Sequence, residues 1–364
     1  MVTARPKTRV LVVDDSATAR RMVMGCLRGE ADIEVIGEAS DAVTAHELIA
    51  RHRPDVVTLD IEMPGMDGLS FLRHLMKRRP IPVIIISSHV PPGSMTTLEA
   101  LRAGAVDVIS KPRTPLSTAD LARRLKDTIR ELRVCPVRVR SLPQRRNTAR
   151  APRTISRSAN GLIAIGTSAG GPQALELLLM QLPPDTPPVV IVQHMPAPFI
   201  PLLADRLNEI CPMQVVVASG GEELSSGVVY LAAGDNHLVV EQSGGRLWTR
   251  LRRGPPLHQP RPAVDVLFHS LVRLLGIPIV GILLTGMGRD GADGMVALRA
   301  AGHETIAEDP RSCVVFGMPR EAIARGGAGH ILMLDQMPAT IRSHFERAAL
   351  GSSLRVRRPG SPSS

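Results

Sequence analysis

A serine in a glycine-rich turn is the residue of this chain best placed for covalent chemistry. Ser168 lies between a strand-length apolar run, Leu162–Ile165, and a helix-length run, Ala174–Leu182. Pro172 suits the first turn of that helix, where its missing amide hydrogen would have no partner anyway. The turn therefore places Ser168 beside free backbone amides, which can stabilise an oxyanion. Residues 166–170 also match G-x-S-x-G, the nucleophile-elbow pattern, although such a turn can equally cradle a phosphate.

Two more polar residues follow apolar strands in the same half of the chain. His194 comes after the predicted strand Val189–Val192, and Asp290 lies in a glycine-rich segment after Ile279–Leu284. If these strands are parallel, their carboxyl ends share one edge of a sheet, and a hydroxyl, an imidazole and a carboxylate meet there. Such a set can act as nucleophile, base and orienting acid. The chain order Ser, His, Asp differs from that of ordinary α/β-hydrolases and indicates a different topology.

Acidic residues end strands in the first half of the chain. Asp14, Asp15 and Asp60 each follow a short apolar run, and Ser87 and Lys111 follow two further runs. Converging carboxylates repel one another without a cation, and oxygen ligands of this kind suit Mg2+. A hydroxyl and an ammonium group nearby suit a phosphoryl group. The four runs are predicted as strands at Val10–Val13, Val56–Leu59, Ile81–Ile86 and Val106–Ile109.

The alternation of strands and helices predicts an α/β protein with two doubly wound parallel-sheet domains. A length of 364 residues fits two domains. We place the first domain at 1–130, an Arg- and Pro-rich linker at 131–158, the second domain at 159–350 and a basic disordered tail at 351–364. A β-hairpin is predicted in the second domain around residues 243–245.

Composition excludes several classes of function. The net charge of +10 is concentrated in the linker and the tail, and aromatic residues make up only 2% of the chain, so we expect no nucleic-acid binding. No signal peptide or long apolar segment is present, which predicts a soluble cytoplasmic protein without membrane insertion. The four cysteines show no metal-binding spacing and are expected to be free thiols.

The first domain resembles two-component receiver domains, which are flavodoxin-like. The resemblance lies in VLVVDDS, VVTLDIEMPGMDGL, IIISSH and ISKP. It implies that Asp60 accepts a phosphoryl group from a histidine kinase. It further implies that Asp14, Asp15, Asp60 and the backbone carbonyl of Glu62 hold Mg2+.

The same resemblance assigns the phosphate contacts and shows one departure. Ser87 and Lys111 are expected to contact the phosphate. Val108 stands three residues before Lys111, at a switch position that is usually aromatic. The usual aromatic rotamer signal is therefore not expected here, whereas Ser87 can still move.

The second domain resembles the catalytic domain of the chemotaxis protein-glutamate methylesterase (CheB) family, a Rossmann-like α/β esterase. IAIGTSAGGPQAL, VQHMP and ILLTGMGRDGADGM carry this resemblance, as does the order receiver, linker, esterase. It implies hydrolysis of glutamyl methyl esters on methyl-accepting chemoreceptors and deamidation of certain receptor glutamines. Ser168, His194 and Asp290 are the expected triad, with backbone amides near Ala169 and Met287 as the oxyanion site and no metal. We also expect the receiver to cover the esterase cleft until it is phosphorylated.

Two alternatives remain open at this stage. Asp235 also follows a strand and competes with Asp290 as the orienting acid; the weaker competitors are Asp265, Asp293 and Asp309. Residues 286–291 fit G-x-G-x-x-G after a strand, with Glu308 or Asp309 about 20 residues on, which is typical of dinucleotide binding. The alternative function is therefore a phosphorylation-controlled dinucleotide-binding or adaptor protein without esterase activity.

Overall fold

The apolar runs of the first half form a five-stranded parallel sheet with the order β2-β1-β3-β4-β5. The structure is a computed structural model and describes residues 6–63, 67–87, 95–111, 115–134, 161–254 and 261–356. The strands are β1 (Thr8–Val13), β2 (Ile33–Ala39), β3 (Val56–Leu59), β4 (Val83–Ser87) and β5 (Asp107–Ser110). This order is that of flavodoxin-like folds, as predicted.

Within the described residues five helices flank this sheet, and polar residues cap the three whose preceding residue the structure describes. The side chains of Ser16, Asp41 and Asp67 each accept a hydrogen bond from a backbone amide in the first turn that follows. The helices are α1 (Ala17–Leu27), α2 (Ala42–His52), α3 (Gly68–Arg78), α4 (Met95–Arg102) and α5 (Pro115–Val134). Helix α5 thus continues past residue 130, where we place the end of the first domain.

The second half of the chain forms a seven-stranded sheet whose ladders are all parallel. Its order is β14-β13-β12-β6-β7-β9-β8. The strands are β6 (Leu162–Thr167), β7 (Val189–Gln193), β8 (Gln214–Ala218), β9 (Val228–Ala232), β12 (Ile279–Leu283), β13 (Glu304–Glu308) and β14 (His330–Leu332). After β6 the chain adds β7, β8 and β9 on one side of β6, and it then adds β12, β13 and β14 on the other side. The order of the strands therefore reverses between β6 and β12, and sheets of this kind bind ligands at such a switch point.

A separate two-stranded hairpin, six α-helices and a short 3-10 helix at Ala197–Phe199 complete the described part of this half. The hairpin joins β10 (His237–Ser243) to β11 (Arg246–Arg252), as predicted. The helices are α6 (Gly171–Leu179), α7 (Ile200–Ile210), α8 (Val264–Leu271), α9 (Ala292–Ala300), α10 (Met318–Ala324) and α11 (Met337–Val356). Helix α8 is shorter than its apolar pattern, which extends to Leu275, and α11 continues past residue 350, where we place the start of the tail.

Two predicted segments fall largely outside the part of the chain that the structure describes. These are residues 135–158 of the linker and residues 357–364 of the tail. Within the described residues, no helix combines the length and the apolar character needed to cross a membrane. The domain boundaries remain predictions.

Apolar clusters on both faces of the second sheet hold the helices that position the edge carrying Ser168, His194 and Asp290. Helix α6 buries eight of its nine residues, among them Leu175, which is 0% exposed. Because a helix that is apolar on most sides must be enclosed by the core, the start of α6 is fixed relative to the ends of β6 and β7.

We expect Leu175→Ala to lower the free energy of unfolding by about 2–5 kcal/mol, because it removes buried methyl groups and leaves a cavity. Urea denaturation of the full chain followed by circular dichroism measures this change. Leu275→Ala is the matched control, since Leu275 is 78% exposed in the same half of the chain. Equal effects of the two substitutions would contradict the described position of α6.

Candidate active site

Ser168 lies in the turn between β6 and α6, at the carboxyl edge of the second sheet. Its backbone amide donates a 3.0 Å hydrogen bond to the carbonyl of Thr285, which follows β12. Gly286 packs directly against Ser168 and Met318. A Cβ at position 286 would lie 2.9 Å from the Cβ of Ser168 and 2.3 Å from the sulfur of Met318. A glycine is therefore required at this position for the loop after β12 to pack against the serine.

His194 and Asp290 form a hydrogen-bonded pair at the same edge. The Nε2 atom of His194 lies 2.8 Å from Oδ2 of Asp290. The Asp290 carboxylate also accepts hydrogen bonds from two amides at the start of α8: Val264 donates to Oδ2 at 2.7 Å and Asp265 to Oδ1 at 3.0 Å. A negative charge at a helix N-terminus is favourable, so α8 holds this carboxylate in place.

The electrostatics of this pair keep Asp290 ionised. Burial alone would raise the pKa of Asp290, but the contact with His194 and the two amide hydrogen bonds outweigh burial and lower it. An ionised carboxylate can only accept, so Nε2 of His194 carries the hydrogen of this bond. Nδ1 is then the ring nitrogen left free to take a proton.

Ser168 and His194 line one cavity of about 520 Å3. Ala169, Met287 and Arg261 also line it, so both residues expected to supply oxyanion amides lie at the site. Among the described residues, no hydrogen bond joins the Ser168 hydroxyl to the His194 ring. Such contacts are often long before substrate binds. The arrangement can support attack by a serine hydroxyl with an imidazole as base.

The competing acids do not lie in the place of Asp290. Asp235 is exposed, and the Asp265 carboxylate accepts a 2.7 Å hydrogen bond from the amide of Gly294. Asp293 pairs with Arg325, and Asp309 with Arg311.

The acid expected for a dinucleotide site is also engaged elsewhere. Glu308 is 0% exposed, and its carboxylate accepts a 2.7 Å hydrogen bond from the amide of Thr285. Its other oxygen accepts the hydroxyl of Ser312 at 2.8 Å. Glu308 thus supports the loop after β12 and does not face an open groove.

Sequence reasoning missed two residues that support the site. The Nδ1 atom of buried His237 accepts a 3.1 Å hydrogen bond from the amide of Ala263, the residue before α8. Gln193, at the end of β7, donates from Nε2 to the carbonyls of Ser168 and His194. The position of His237 in the sequence does not relate it to Ser168, His194 or Asp290. Gln193 is indicated only by its place directly before His194.

The predicted acidic cluster forms at the carboxyl edge of the first sheet. One carboxylate oxygen from each of Asp14, Asp15 and Asp60 lies within 4.8 Å of the others. The Nζ atom of Lys111 lies 2.7 Å from Oδ2 of Asp14 and 2.6 Å from Oδ2 of Asp60. Three oxygen donors beside one bridging ammonium group fit the ligand set that Mg2+ prefers, together with a place for an anion.

Ion pairs between Lys111 and the carboxylates shift the pKa values of Asp14 and Lys111 in this cluster. Burial raises the pKa of Asp14, although the hydrogen bond from Lys111 opposes the rise. Burial would lower the pKa of Lys111, but its bonds to Asp14 and Asp60 outweigh burial and raise it. Ser87 ends β4 beside the cluster, and its buried hydroxyl has no partner among the described residues. The backbone amide of Glu62 donates to Oδ1 of Asp60 at 3.3 Å.

The two halves of the chain meet over the cavity that holds Ser168. From the first half, α4, β5, the residue before β5 and α5 supply part of its lining: Leu101, Val106, Asp107, Val108, Arg123, Arg124, Asp127 and Thr128. Arg102 of α4 donates from Nε to Oε1 of Glu176 in α6 at 2.6 Å, where the Glu176 side chain is 3% exposed. Glu131 of α5 accepts a 2.9 Å hydrogen bond from the amide of Gly288.

Comparison with known proteins agrees with this architecture. Residues 163–341 match the CheB methylesterase family, and residues 10–124 match the response regulator receiver domain. A protein-glutamate methylesterase/protein-glutamine glutaminase of Thiobacillus denitrificans is 44% identical over 354 residues, which cover 94% of this chain and 99% of that protein. One from Geobacter metallireducens is 45% identical, over 93% of this chain and 96% of its own length. The crystal structure of the Thermotoga maritima CheB methylesterase catalytic domain is 36% identical, with a TM-score of 0.49, and covers 51% of this chain and 98% of that one.

We expect stability to fall with acid partly through His237. Burial, and then the nearby charge of Arg261, lower the pKa of His237, whose Nδ1 must stay unprotonated to accept from Ala263. The unfolded chain therefore binds a proton more readily below the ordinary histidine pKa of about 6.5, and folding stability decreases as pH falls through that value. His237→Gln keeps an acceptor but does not titrate.

Urea unfolding at pH 7, 6 and 5 measures this effect. The wild type is expected to lose more stability between pH 7 and 5 than His237→Gln, by at most about 1.4 kcal/mol per pH unit. His269→Gln is the control, because His269 lies exposed on α8. Parallel curves for the wild type and His237→Gln would show that this histidine does not contribute.

Proposed function

This chain belongs to the chemotaxis protein-glutamate methylesterase (CheB) family, and we propose that its own Ser168, His194 and Asp290 carry out the family reaction. The reaction is hydrolysis of glutamyl methyl esters on chemoreceptors, together with deamidation of specific receptor glutamines, under the control of receiver phosphorylation. The observation that carries the proposal is the 2.8 Å His194–Asp290 pair on the same cavity as Ser168.

The first half of the reaction forms an acyl-enzyme. Nδ1 of His194 takes the proton of the Ser168 hydroxyl as its oxygen attacks the ester carbonyl. Asp290 stabilises the imidazolium that results, because its carboxylate is already held ionised by α8. Backbone amides of Ala169 and Met287 receive the oxyanion. His194 then gives its proton to the leaving methoxide, and methanol departs.

The second half regenerates the serine. Water attacks the acyl-enzyme, and His194 again takes the proton and returns it to Ser168. The product is a glutamate carboxylate. A glutamine side chain follows the same course, with ammonia leaving in place of methanol. No metal ion has a role in these steps.

Ser168→Ala is expected to abolish methanol release from methylated receptor, because the nucleophile is lost. Asp290→Asn is expected to lower kcat by about 10^2- to 10^4-fold, because it stabilises the wrong ring tautomer and no longer balances the imidazolium charge. Released methanol, measured at saturating phosphodonor, is the readout. Asp235→Asn is the matched control for the orienting acid and is expected to have no effect.

Three outcomes would overturn these assignments. Turnover by Ser168→Ala at the wild-type rate would reject the nucleophile. A larger loss in Asp235→Asn than in Asp290→Asn would move the orienting role to Asp235. Failure of wild-type protein to react with a serine-directed inhibitor such as a fluorophosphonate would favour the adaptor alternative.

Asp60 is the proposed phosphoacceptor, and the phosphodonor is a chemotaxis histidine kinase. Asp14, Asp15 and Asp60, with the backbone carbonyl of Glu62, are the proposed holders of Mg2+. Bound Mg2+ would neutralise negative charge on the phosphoryl oxygens. Lys111, which bridges Asp14 and Asp60, and Ser87 at the end of β4 would contact the phosphoryl group.

Regulation is proposed to act through the contact between the two halves. The receiver lines the esterase cavity and holds Glu176 and the Gly288 amide through Arg102 and Glu131. We propose that these receiver residues hinder the approach of a receptor segment to Ser168. Phosphorylation of Asp60 would weaken the docking of α4, β5 and α5 and thereby open the cleft.

Arg102→Gln is expected to raise basal demethylation without phosphodonor, because it removes the ion pair that holds α4 on α6. We expect an increase of about fivefold or more, at the lower end of typical coupling between sites. Arg73→Gln is the matched control, since Arg73 pairs at 3.1 Å with Glu99 of its own domain. Methanol release with and without a small phosphodonor is measured for each.

Asp60→Asn completes this test. It is expected to release methanol at the same rate with and without phosphodonor, whereas the wild type accelerates. A wild type indifferent to phosphodonor, or Arg102→Gln with the same basal rate as Arg73→Gln, would defeat the docking mechanism.

A further inference from the structure

The carboxamide of Gln193 connects the segment of the nucleophile to the segment of the base. Gln193 is the last residue of β7 and is 1% exposed. Its Nε2 atom donates to the carbonyl oxygen of Ser168 at 2.8 Å and to that of His194 at 3.0 Å. Both hydrogens of one amide are thus used on the peptide groups of two proposed catalytic residues.

The fold makes room for this side chain at the start of α6. A Cβ on Gly171 would lie 2.0 Å from Oε1 of Gln193 and 2.6 Å from Oγ1 of Thr167. The first residue of α6 must therefore be glycine for the carboxamide to occupy this place. The amide of Gly171 also donates to the Ser168 carbonyl at 2.9 Å, so that carbonyl is held from two sides.

The arrangement is not the one that stability alone would favour. The Oε1 atom of Gln193 is buried and has no hydrogen-bond partner among the described residues. An unsatisfied buried acceptor is unfavourable, and an apolar side chain of similar shape would avoid that cost. A donor is nevertheless directed at the two carbonyls that set the orientation of Ser168 and His194.

We infer that Gln193 is a positioning residue, which holds the Ser168 hydroxyl and the His194 ring at the separation needed for proton transfer. This inference rests on the proposed function, because it concerns the rate of the same reaction. Gln193 acts through the backbone of its two neighbours and gives no proton to the substrate. Loss of its hydrogen bonds therefore lowers kcat and leaves substrate binding, and hence KM, nearly unchanged.

Gln193→Met in the full chain is the main test. Methionine has a similar length and removes both the two donated hydrogen bonds and the unpartnered oxygen. We expect kcat for a small chromogenic ester to fall about 10- to 100-fold, with KM within about twofold and the variant still folded at the assay temperature. The rate of covalent labelling by a fluorophosphonate is expected to fall by the same factor as kcat.

A second variant keeps the test decisive if Gln193→Met fails to fold. Gln193→Glu preserves the shape but places a carboxylate oxygen against the two carbonyls, and it is expected to be slower than the methionine variant. Gln242→Met is the matched control: Gln242 also bridges backbone groups, those of Leu275 at 3.3 and 3.0 Å, but lies on the hairpin. It should keep the wild-type kcat.

The outcomes separate this inference from the proposed function. An inactive wild type, or an active Ser168→Ala, would reject the proposed function itself. With an active wild type, a folded Gln193→Met or Gln193→Glu with normal kcat would overturn the positioning role. A rise in KM at constant kcat would also overturn it, because Gln193 would then act on substrate binding. A loss of kcat that matched the fraction of unfolded protein in the sample would also overturn it, because Gln193 would then have only a structural role.

Discussion

The buried carboxylate of Asp290 is the constraint on which the proposed catalytic edge depends. It joins three parts of the chain that are far apart in sequence: the loop after β12, the start of α8 and the end of β7. An unpaired buried charge would be strongly unfavourable, so the two amides of α8 and the ring of His194 must all be in place. The same contacts that make the fold tolerate this charge also select the histidine tautomer that a base requires.

Two carboxylates also connect the two halves of the chain. Glu176, which is buried, and Glu131, which is half-buried, lie in different halves, and each is paired across the contact, one with a guanidinium and the other with a backbone amide. Burial raises the pKa of Glu131, and the amide of Gly288 partly offsets that rise. Gly288 follows Met287, whose amide is the proposed oxyanion donor. Under the proposed function, docking of the first half of the chain and catalysis would therefore use the same loop.

The sequence predicts the central strands well and, apart from β5, the edge strands poorly. The strands buried on both faces, such as β3, β7 and β12, are continuous apolar runs that mark their own positions. The strands β2, β8 and β14, which the sequence does not predict, each lie at an edge of a sheet. Edge strands are only partly buried, and IEVIGEA in β2 mixes apolar with charged residues. Such segments carry no periodic signal strong enough to separate them from loops.

The candidate site was predictable as far as the central strands were, because its residues lie at the ends of those strands. Ser168, His194 and Asp290 each follow a central strand, so knowing that the strands are parallel is enough to bring the three to one edge. The contacts of Val264, His237 and Gln193 were not predictable, because they depend on how α8 and the hairpin pack onto that edge. Choosing between Asp290 and Asp235 needed the same information. The spacing of residues along the sequence can predict which candidates lie at one edge of a sheet. Which of them share a hydrogen bond depends on distances of a few ångströms between segments that are far apart in the chain, and only the packing of those segments determines these distances.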